Sequence, residues 1–423
     1  MSLRTVLPGV ASGRIAAPPS KSYTHRALVA GHLTGRRYRV DRPLLADDTR
    51  ATARGLRVLG SRVRAGRARW TIEPGGSTRP RRGTIDCGES GTTLRFLLAL
   101  AARQDRPIRF RGQGRLGRRP VSELLDAIGT LGAESRRASA GGGFPITVRG
   151  PMRGGRIRLD ASRSSQFASA LLLTLPTLPG DSELRLVGRV VSEPYIAATE
   201  AVLRRHRVVA ERHGRAFAIP GDQTFRGTGM VVPGDASSAA YLWAAAAVTG
   251  GSVDVRGIPR SWPQADLAIL GLLRAAGVRV VDREDGARVE GPLRAPFSVD
   301  LTAAPDLYPL VAVLAATVPG RSRLRGAAHA VLKESDRRAG AARLARAFGA
   351  AVEPRGGGLD IRGSARVHGA RLRDLTDHRL VMSAAVGALA ADRPSTIGDA
   401  RAVAKSFPQF WTALDSLFEG ERE

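Results

Sequence analysis

The hydrophobic and polar residues of the chain recur at an interval of about 72 residues, which indicates an internal repeat. Each repeat contains a polar or cap-like start followed by small apolar residues. These runs are apolar nearly all round, and such a run predicts a helix that is buried inside a domain. The six starts are Ser22–Arg26, Ser90–Arg95, Ser164–Phe167, Asp235–Ser238, Pro305–Tyr308 and Asp377–Leu380.

A second series of segments lies between these starts. Its members are typical of amphipathic helices, and most of them end at glycine, a common C-cap. They are Leu56–Gly60, Leu124–Gly132, Val202–His206, Leu267–Gly277, Ala341–Gly349 and Trp411–Gly420. Strands follow several of these segments, for example Val278–Val281. The pattern predicts an α/β protein of six units, each with about two helices and several short strands.

The polarity of the buried helices carries a functional expectation. A helix start has unpaired N–H groups and a partial positive charge, so it attracts anions. If three parallel helices pack in each of two domains, their positive ends emerge on one face of each domain. Two such faces opposed would form an anion-attracting cleft. The proline- and glycine-rich stretches Gly13–Pro19 and Pro220–Pro233 predict the crossings between the domains.

The charge of the chain is strongly positive. The 423 residues include 66 basic and 38 acidic ones, a formal net charge of +28. This excess attracts polyanions, so one interpretation is a nucleic-acid-binding protein. Against it, the arginines are spread along the whole chain, and aromatic residues make up only 5%, too few for base-stacking platforms.

Other features bear on the compartment and on metals. No apolar run approaches the roughly eighteen residues that span a bilayer, and Met1–Ser20 lacks the pattern of a signal peptide. The single cysteine, Cys87, excludes an internal disulfide framework and suits a reducing cytoplasm. No cysteine–histidine group has zinc spacing. We therefore expect a cytoplasmic protein with no metal.

Lysine is rare in this chain. There are three lysines, Lys21, Lys333 and Lys405, against 63 arginines, and there is no asparagine. A G+C-rich genome would suppress both lysine and asparagine, so a retained lysine can mark a position where arginine does not serve. The ammonium is a compact charge whose pKa can be lowered, whereas guanidinium stays charged. All three lysines are candidates for chemistry, with chance retention as the alternative.

The first predicted helix start carries two cations, Lys21 and Arg26. The prolines Pro18–Pro19 keep the preceding backbone extended, and Arg26–Leu33 has the pattern of a helix. The candidate N-caps are Ser20, Ser22 and Thr24. An ordinary capped helix with exposed cations is the alternative interpretation.

Four further motifs of the first half could bind anions. Gly91 would let a ligand approach the backbone N–H groups of its helix, and Arg118 and Arg119 could hold a carboxylate or phosphate through two parallel bonds. The other two motifs supply hydroxyl groups and an amide, from Ser164, Ser165, Gln166, Ser192 and Tyr195. Each motif also has a structural interpretation, namely a tight turn, a solvated surface or a helix cap.

The second half contributes acids beside cations. Lys333–Arg337 packs two cations and two acids into five residues, a candidate for proton transfer or simply a salt-bridged helix start. Asp306 follows a proline and leads an apolar helix, so it either caps that helix or acts as a base. Asp377–Arg379 and Lys405 complete the set, and His378 is either functional or a satisfied buried imidazole.

In this order, the motifs closely resemble those of the 5-enolpyruvylshikimate-3-phosphate synthase family, in a form that looks archaeal. The resemblance covers essentially the whole chain. The matching motifs are Pro19–Ser22, Ser90–Arg95, Arg119–Val121, Ser164–Phe167, Ser192–Tyr195, Gly234–Ser238, Pro305–Asp306, Lys333–Arg337, Asp377–Arg379 and Ala404–Pro408.

The resemblance implies the family's fold. It has two domains, each of three βαβαββ units with buried parallel helices, and the chain crosses between them twice. We expect one domain from residues 1–14 and 233–423 and the other from residues 15–232. The active site is expected in the cleft between them.

The resemblance also implies transfer of the enolpyruvyl group of phosphoenolpyruvate to the 5-hydroxyl of shikimate 3-phosphate, with release of phosphate. The matching positions expected to bind shikimate 3-phosphate are Lys21, Ser22, Arg26, Ser164, Ser165, Gln166, Ser192, Tyr195, Asp306 and Lys333. Those expected to bind phosphoenolpyruvate are Lys21, Gly91, Arg119, Gln166, Arg337, Arg379 and Lys405.

The implied chemistry is an addition followed by an elimination. Asp306 should take the proton of the 5-hydroxyl, and Glu334 should protonate the methylene carbon of phosphoenolpyruvate. Lys21, together with Lys405, should stabilise the transferring phosphate or shuttle protons. No cofactor or metal is implied, and a monomer is expected. Some family members use an asparagine before the Lys-Glu pair, whereas this chain has His329 or a neighbour there.

Two rivals stay open at this point. The related transferase that acts on UDP-N-acetylglucosamine starts with a Lys-Asn pair and uses a cysteine in a mobile loop. Here Ser22 follows Lys21, and Cys87 precedes a Gly-Thr turn, where a structural role is expected. The second rival is a nucleic-acid-binding protein built on the same repeated unit.

Overall fold

The computed structural model describes residues 2–75, 83–138 and 143–418. The chain divides into two units. Unit 1 comprises Met1–Pro18 and Gly234–Glu423, and unit 2 comprises Pro19–Pro233. From the sequence we expected the chain to pass from one domain to the other after residues 14 and 232. In this division it passes from one unit to the other after residues 18 and 233. The end of the helix predicted at Trp411–Gly420 lies outside the described residues.

The described residues form helices and strands in alternation. The α-helices are α1 (Lys21–Leu33), α2 (Asp47–Val58), α3 (Gly91–Ala101), α4 (Ser122–Thr130), α5 (Ser165–Thr174), α6 (Glu193–Arg205), α7 (Ala236–Thr249), α8 (Ala268–Ala275), α9 (Tyr308–Ala316), α10 (Arg337–Ala347), α11 (His378–Leu389) and α12 (Phe410–Asp415). Short 3-10 turns cover Gly114–Arg118, Leu175–Thr177, Ala265–Leu267, Pro305–Leu307, Ala328–Leu332 and Ala400–Lys405.

The strands are short. They are β1 (Arg4–Val6), β2 (Gly13–Ala16), β3 (Tyr38–Asp41), β4 (Ser61–Ala65), β5 (Arg69–Pro74), β6 (Gly83–Asp86), β7 (Ile108–Arg111), β8 (Glu134–Arg137), β9 (Ile146–Arg149), β10 (Arg156–Asp160), β11 (Ser182–Val187), β12 (Glu211–His213), β13 (Ala216–Ile219), β14 (Gly229–Val231), β15 (Ser252–Arg256), β16 (Arg279–Arg283), β17 (Gly286–Glu290), β18 (Ser298–Asp300), β19 (Gly320–Arg325), β20 (Ala351–Arg355), β21 (Gly358–Gly363), β22 (Arg371–Leu372) and β23 (Ser395–Ile397).

The described part of unit 2 has three small mixed sheets, with strand orders β14–β3–β5–β4, β6–β7–β9–β8 and β10–β11–β13–β12. The first pair of strands in each order is parallel, and the other pairs are antiparallel. A buried helix joins each parallel pair that is consecutive in the chain, as α3 joins β6 to β7. A second helix then leads into the hairpin, so the element order in these sheets is βαβαββ.

Unit 1 repeats this plan over its described residues, with strand orders β16–β17–β15–β2, β18–β19–β21–β20 and β1–β23–β22. Strand β2 pairs in parallel with β15, although the whole of unit 2 lies between them in the chain. In the same way, β14 pairs with β3 across most of unit 2. Each unit therefore closes one of its sheets with a strand next to a chain crossing. The mixed α/β class predicted from the sequence is confirmed.

The core of each unit consists of helices that are buried nearly all round. In unit 2, α3 packs on α5, and α1 packs on α2 and α3. In unit 1, α11 packs on both α7 and α9. All residues of α9 and α11 are buried, including the polar start of α11 at His378 and Arg379, and the rest of both helices is largely apolar. Among the described helices, none combines the length and hydrophobicity needed to cross a membrane.

Helix α1 begins earlier than the sequence indicated. The structure starts it at Lys21 instead of Arg26, with Ser20 as the N-cap. Ser20 follows the two prolines in an extended conformation, and its hydroxyl accepts a hydrogen bond from the backbone N–H of Tyr23 at 3.5 Å. Thr24 instead donates to the Ser20 carbonyl. Because of this start, Lys21 and Ser22 lie in the first turn of the helix.

Candidate functional site

The first turns of α1, α3 and α5 lie together at one end of unit 2, where they hold a set of polar residues. We call this set the hydroxyl-rich cluster. It comprises Lys21, Ser22, Arg26, Asp48, Gly91, Thr92, Arg95, Arg119, Ser164, Ser165, Gln166, Ser169, Ser192, Tyr195 and Thr199.

Lys21 is held by the first turn of α2. Its ammonium lies 3.2 Å from Oδ2 of Asp48, which is itself buried. The backbone carbonyl of Asp48 also accepts a hydrogen bond from the hydroxyl of Thr93, in α3. The Lys21 ammonium is therefore held by α2, whose first turn is in turn bonded to α3.

A buried chain of neutral groups ties the same helices together. The ring of His25 contacts Thr52 Oγ1 at 2.8 Å, and that hydroxyl contacts Thr93 Oγ1 at 2.7 Å. Burial, with the charges of Lys21 and Arg26, holds the pKa of His25 well below its usual value. His25 is therefore neutral at physiological pH and serves as a hydrogen-bonding link between α1 and α2.

Arg26 lies beneath the helix starts and is only 3% exposed. Its Nε donates to Thr199 Oγ1 at 2.9 Å, and its Nη2 donates to the Tyr195 carbonyl at 2.8 Å and to Ser169 Oγ at 3.2 Å. Its Nη1 donates to the Ser22 carbonyl. Burial lowers its pKa to about 10, which still leaves the guanidinium charged at neutral pH. The residue thus connects α1 with α5 and α6.

Gln166 is held by two residues of α3. Arg95 donates from Nη1 to Gln166 Oε1 at 2.5 Å, and the Gln166 amide donates to Thr92 Oγ1 at 2.9 Å. Arg95 is fixed in turn by two hydrogen bonds to the Pro120 carbonyl. Its guanidinium also lies over the ring of Phe167, 5.2 Å from the centroid. The Gln166 side chain therefore has one preferred orientation at the start of α5.

Gly91 is the residue that admits a buried cation to the start of α3. A Cβ placed at Gly91 would lie 2.7 Å from the guanidinium of Arg119, too close for any other residue without a shift of that side chain. Of the two arginines in this motif, Arg118 is exposed and Arg119 is buried. The motif therefore supplies one cation, Arg119, to the end of unit 2 where the helices start.

The hydroxyl residues of the cluster that come from α5 and α6 lie at the starts of those helices. Ser164 caps α5 by accepting from the Gln166 N–H, and Ser165 is buried in the first turn of that helix. Ser192 precedes α6 in a left-handed conformation with φ of 53°, and it is buried. Tyr195 is half-buried, and its carbonyl accepts from Arg26.

Unit 1 has a second group of polar residues where α9, α10 and α11 begin. We call it the carboxylate cluster. It comprises Asp306, Lys333, Glu334, Arg337, Asp377 and Arg379.

Asp306 links three cations. Its Oδ1 accepts from Arg337 Nη1 at 2.6 Å, and its Oδ2 accepts from Arg379 Nη2 at 2.8 Å. The Lys333 ammonium lies 3.6 Å from Oδ1. Asp306 lies in the 3-10 turn Pro305–Leu307 before α9, and its two carboxylate oxygens bind guanidinium groups of α10 and α11.

These cations control the basicity of Asp306. Burial alone would raise its pKa, but the positive charges of Arg379, Lys333 and Arg337 outweigh burial and hold the pKa well below its usual value. With these cations around it, Asp306 is a charged, weakly basic carboxylate. A role as base therefore requires a change in its surroundings.

Arg337 is surrounded by carboxylates. Besides Asp306, its Nη2 donates to Glu334 Oε2 at 2.6 Å, and its Nε donates to Asp377 Oδ2 at 2.9 Å. The three carboxylates raise the pKa of Arg337 against the opposite effect of burial, so its charge is permanent. This residue therefore fixes the positions of Glu334, Asp306 and Asp377 relative to one another.

Asp377 supports both arginines from within the unit. It is fully buried, accepts from Arg337, and accepts from the Arg379 N–H at 2.9 Å as the N-cap of α11. It also accepts from the hydroxyl of Ser335 at 2.9 Å. Burial would raise its pKa, but the charges of Arg337 and His378 hold it at about 2.

A further buried acid lies near Asp306. Asp266, in the turn before α8, accepts a hydrogen bond from the hydroxyl of Ser237 in α7. Burial, reinforced by the negative charge of Asp306, raises its pKa to about 6. Asp266 therefore adds a carboxyl group of raised pKa beside the carboxylate cluster, whose Asp306 and Asp377 have lowered pKa values.

Other predicted residues have these places. Lys405 ends a 3-10 turn that contacts α11, and it is half-buried. His329 is buried in the turn before the Lys-Glu pair. Cys87 is fully buried, and burial raises the pKa of its thiol, so it is unreactive, as expected for a structural cysteine.

Sequence reasoning missed several residues of these clusters. Asp48 belongs to an acidic pair at the start of α2, where such residues commonly cap a helix, and only the packing of α1 on α2 shows its contact with Lys21. Arg95 was part of a quoted motif but received no role. Asp377 was named as part of a motif, yet its contacts with two arginines required the structure. No sequence signal pointed to Asp266.

Comparison with known proteins gives one consistent result. The family model described as EPSP synthase (3-phosphoshikimate 1-carboxyvinyltransferase) matches residues 8–414 of the chain. The 3-phosphoshikimate 1-carboxyvinyltransferase of Methanocorpusculum labreanum is 36% identical over 414 residues, 97% of this chain and 97% of that protein. The protein of the same name from Aeropyrum pernix is 40% identical over 415 residues, 97% of this chain and 95% of that protein.

Solved structures are similar in fold. The EPSP synthase from Acinetobacter baumannii matches with a TM-score of 0.82 at 24% identity, over 99% of this chain and 98% of that chain. The enolpyruvyl transferase NikO from Streptomyces tendae matches with a TM-score of 0.79 at 19% identity, over 98% of this chain and 97% of that chain.

Proposed function

Because the chain belongs to the EPSP synthase (3-phosphoshikimate 1-carboxyvinyltransferase) family, we propose that it transfers the enolpyruvyl group of phosphoenolpyruvate to the 5-hydroxyl of shikimate 3-phosphate and releases phosphate. This reaction belongs to the shikimate pathway, which leads to chorismate and the aromatic amino acids. The observation that supports it most strongly in this chain is the carboxylate cluster. There Arg337 binds two acids at once, Asp306 and Glu334 of the Lys333–Arg337 motif.

The two clusters suit the charges of these substrates. Each substrate carries a phosphate and a carboxylate, and guanidinium groups bind both through parallel hydrogen bonds. In unit 1, Arg337, Arg379 and Lys405 are the residues proposed to bind phosphoenolpyruvate. In unit 2, the proposed phosphoenolpyruvate ligands are Lys21, Gly91, Arg119 and Gln166, of which Gly91 and Arg119 lie against each other.

Shikimate 3-phosphate is proposed to bind mainly through hydroxyl groups and cations of unit 2. The caps and first turns of α1 and α5 offer N–H groups and hydroxyls for its phosphate. Arg26 supports this set from beneath through the Tyr195 and Ser22 carbonyls. The proposed ligands are Lys21, Ser22, Arg26, Ser164, Ser165, Gln166, Ser192 and Tyr195, together with Asp306 and Lys333 of unit 1.

The addition step needs one base and one acid. Asp306 takes the proton of the 5-hydroxyl as that oxygen forms a bond to C2 of phosphoenolpyruvate. Glu334, which is ionised where it meets Arg337 and takes up a proton before this step, gives that proton to C3, and this transfer makes C2 electrophilic. The product is a tetrahedral adduct that still carries the phosphate. Lys21, with Lys405, stabilises the negative charge of the phosphate.

The elimination step returns Asp306 and Glu334 to the protonation states in which they began. The C2–O bond to phosphate breaks, C3 returns a proton to Glu334, and the double bond forms again. The proton that Asp306 took from the hydroxyl leaves with the phosphate, directly or through Lys21. Atoms and charges therefore balance over one turnover, and each side chain ends in its starting protonation state.

The oligomeric state and the compartment are also part of the proposal. We propose a monomer in the cytoplasm; the single buried thiol, which offers no internal disulfide, suits that reducing compartment. Light scattering on the eluting peak of a size-exclusion column tests the monomer directly. A mass of twice 44.8 kDa would contradict it.

A turnover assay tests the function. Purified protein is mixed with phosphoenolpyruvate and shikimate 3-phosphate, and phosphate release is followed. We expect release that depends on both substrates, and a loss of at least about 1,000-fold in Asp306→Ala, because the base is removed. Salt-sensitive binding of DNA or RNA without any turnover would instead support the nucleic-acid-binding interpretation.

A further inference from the structure

Asp306 occupies the position that an anionic ligand would take in the carboxylate cluster. Its two oxygens accept from two different guanidinium groups, Arg337 at 2.6 Å and Arg379 at 2.8 Å. A third cation, Lys333, lies 3.6 Å away. A substrate carboxylate or phosphate bound by these arginines would make the same kind of contacts.

The two aspartates that contact Arg337 differ in exposure. The side chain of Asp306 is 17% exposed, whereas that of Asp377 is 0% exposed. Asp377 accepts from the guanidinium of Arg337 and from the backbone N–H of Arg379, so it holds the first side chain and the start of α11 from the buried side. Arg337 therefore keeps a buried carboxylate partner when its contact with Asp306 is lost.

We propose that the Asp306 carboxylate binds Arg337 and Arg379 at the position that the phosphoenolpyruvate anion takes, and that these two hydrogen bonds break when that substrate binds. The inference rests on the proposed function, because it takes these arginines as part of the phosphoenolpyruvate site. Asp306 and the substrate then compete for the same positive charge, and each weakens the other's hold on it.

This competition determines when Asp306 can act as a base. The charged groups facing it are Arg337 from α10, Arg379 from α11, Lys333 and Glu334 from the loop before α10, and Asp266 from the turn before α8. A bound anion neutralises the two arginines, so the pKa of Asp306 rises towards that of an ordinary or buried carboxylate. The 5-hydroxyl is therefore deprotonated only after the second substrate is in place.

Equilibrium binding of phosphoenolpyruvate alone, measured by titration calorimetry on the full chain, tests the proposal. We expect Asp306→Asn to bind about tenfold more tightly than the native chain, because the competing charge is gone. Asp306→Glu keeps the charge and should stay within a factor of about three. The matched control is Asp377→Asn, which removes the same charge from the same arginine and should bind about tenfold more weakly, because the arginines lose their support.

The outcomes separate this proposal from the proposed function. Unchanged or weaker binding by Asp306→Asn, in a protein whose native form turns over both substrates, overturns the competition and leaves the function intact. Equal tightening by both Asn variants also overturns it, since a general change of charge would then explain the gain. Absence of turnover by the native chain overturns the function itself. If Asp306→Asn does not fold, as judged by circular dichroism, Asp306→Ser replaces it with the same expected tightening.

Discussion

The two clusters hold buried cations in opposite ways. In the hydroxyl-rich cluster, Arg26 and Arg95 donate to hydroxyl, amide and carbonyl oxygens, all neutral groups. In the carboxylate cluster, Arg337 donates to three carboxylates and Arg379 to one. The first arrangement surrounds the guanidinium with neutral acceptors, and the second pairs it with carboxylates of the same unit.

This difference assigns different work to the two units. A guanidinium held by neutral acceptors can still attract phosphate, and its surroundings change little with pH, so the hydroxyl-rich cluster suits substrate binding. A cation shared among carboxylates sets the pKa of each of them, so the carboxylate cluster suits proton transfer. The shifted carboxyls found in unit 1, Asp306 and Asp377 below their usual pKa and Asp266 above it, agree with this division.

The largest effect should come from removing a buried guanidinium in each cluster. Arg337 and Arg95 are 1% and 2% exposed. Arg337→Met removes the cation that three buried or half-buried carboxylates share, although Asp306 keeps Arg379 and Lys333, and it should cost about 3–5 kcal/mol in the free energy of unfolding. Arg95→Met leaves neutral acceptors unsatisfied and should cost about 1–3 kcal/mol. Denaturant unfolding at pH 7 measures both values.

A conservative substitution of Arg337 extends this comparison from stability to turnover. Arg337→Lys keeps a charge but loses the planar group that reaches several carboxylates at once, so turnover should stay at least about 100-fold below the native rate. Equal losses of stability in Arg337→Met and Arg95→Met would show that the kind of acceptor makes no difference. In that case the contrast between the clusters would have no energetic meaning.

The sequence was sufficient for the residue types of both clusters but not for their contacts. Motifs at helix starts pointed to Lys21, Gly91, Asp306 and Arg337, because capping residues and apolar runs locate buried helices well. Contacts between helices depend on packing that no local pattern encodes. This is why the structure was needed to pair Lys21 with Asp48 on α2.

Two local features show the same limit on a smaller scale. The sequence offered three caps for α1, and only the backbone conformation after the prolines identified Ser20. It also offered two adjacent arginines, Arg118 and Arg119, and only burial distinguished them. In the carboxylate cluster, the low basicity of Asp306 depends on three cations from separate segments, so its residue type alone suggested a base without showing what restrains it.

The second prediction concerns pH. The folded-state pKa of Asp377, about 2, is below its unfolded value of 3.8, so its contribution is fully present above pH 4 and is lost as pH falls towards 2. Asp377→Asn should therefore lower stability by about 2 kcal/mol at pH 7, and the difference from the native chain should shrink steadily below pH 4. Chemical unfolding at pH 7, 5, 4 and 3 measures it. A difference that stays constant over this range would contradict the ionic role of Asp377.

The smallest effect tests the neutral acceptors of Arg26 in the hydroxyl-rich cluster. Thr199 Oγ1 accepts from the buried Nε of Arg26 at 2.9 Å, and it lies 2.9 Å from Ser169 Oγ. Thr199→Val keeps the shape but leaves the Arg26 donor unsatisfied, so we expect a loss of about 1–2 kcal/mol. Thr199→Ser keeps the hydroxyl and should recover most of it. Because the pKa of Arg26 is about 10, its charge is constant from pH 5 to pH 8, and the loss should be the same at both.

The activity of the same variants completes this test. Arg26 supports the Tyr195 and Ser22 carbonyls beneath the proposed shikimate 3-phosphate site, so Thr199→Val should raise the KM for that substrate a few-fold and leave kcat nearly unchanged. A fall in kcat with an unaltered KM would place Arg26 in the chemical step. A stability loss that varies between pH 5 and pH 8 would show that Arg26 has a titrating partner, and the contrast between Arg26 and the arginines of the carboxylate cluster would then fail.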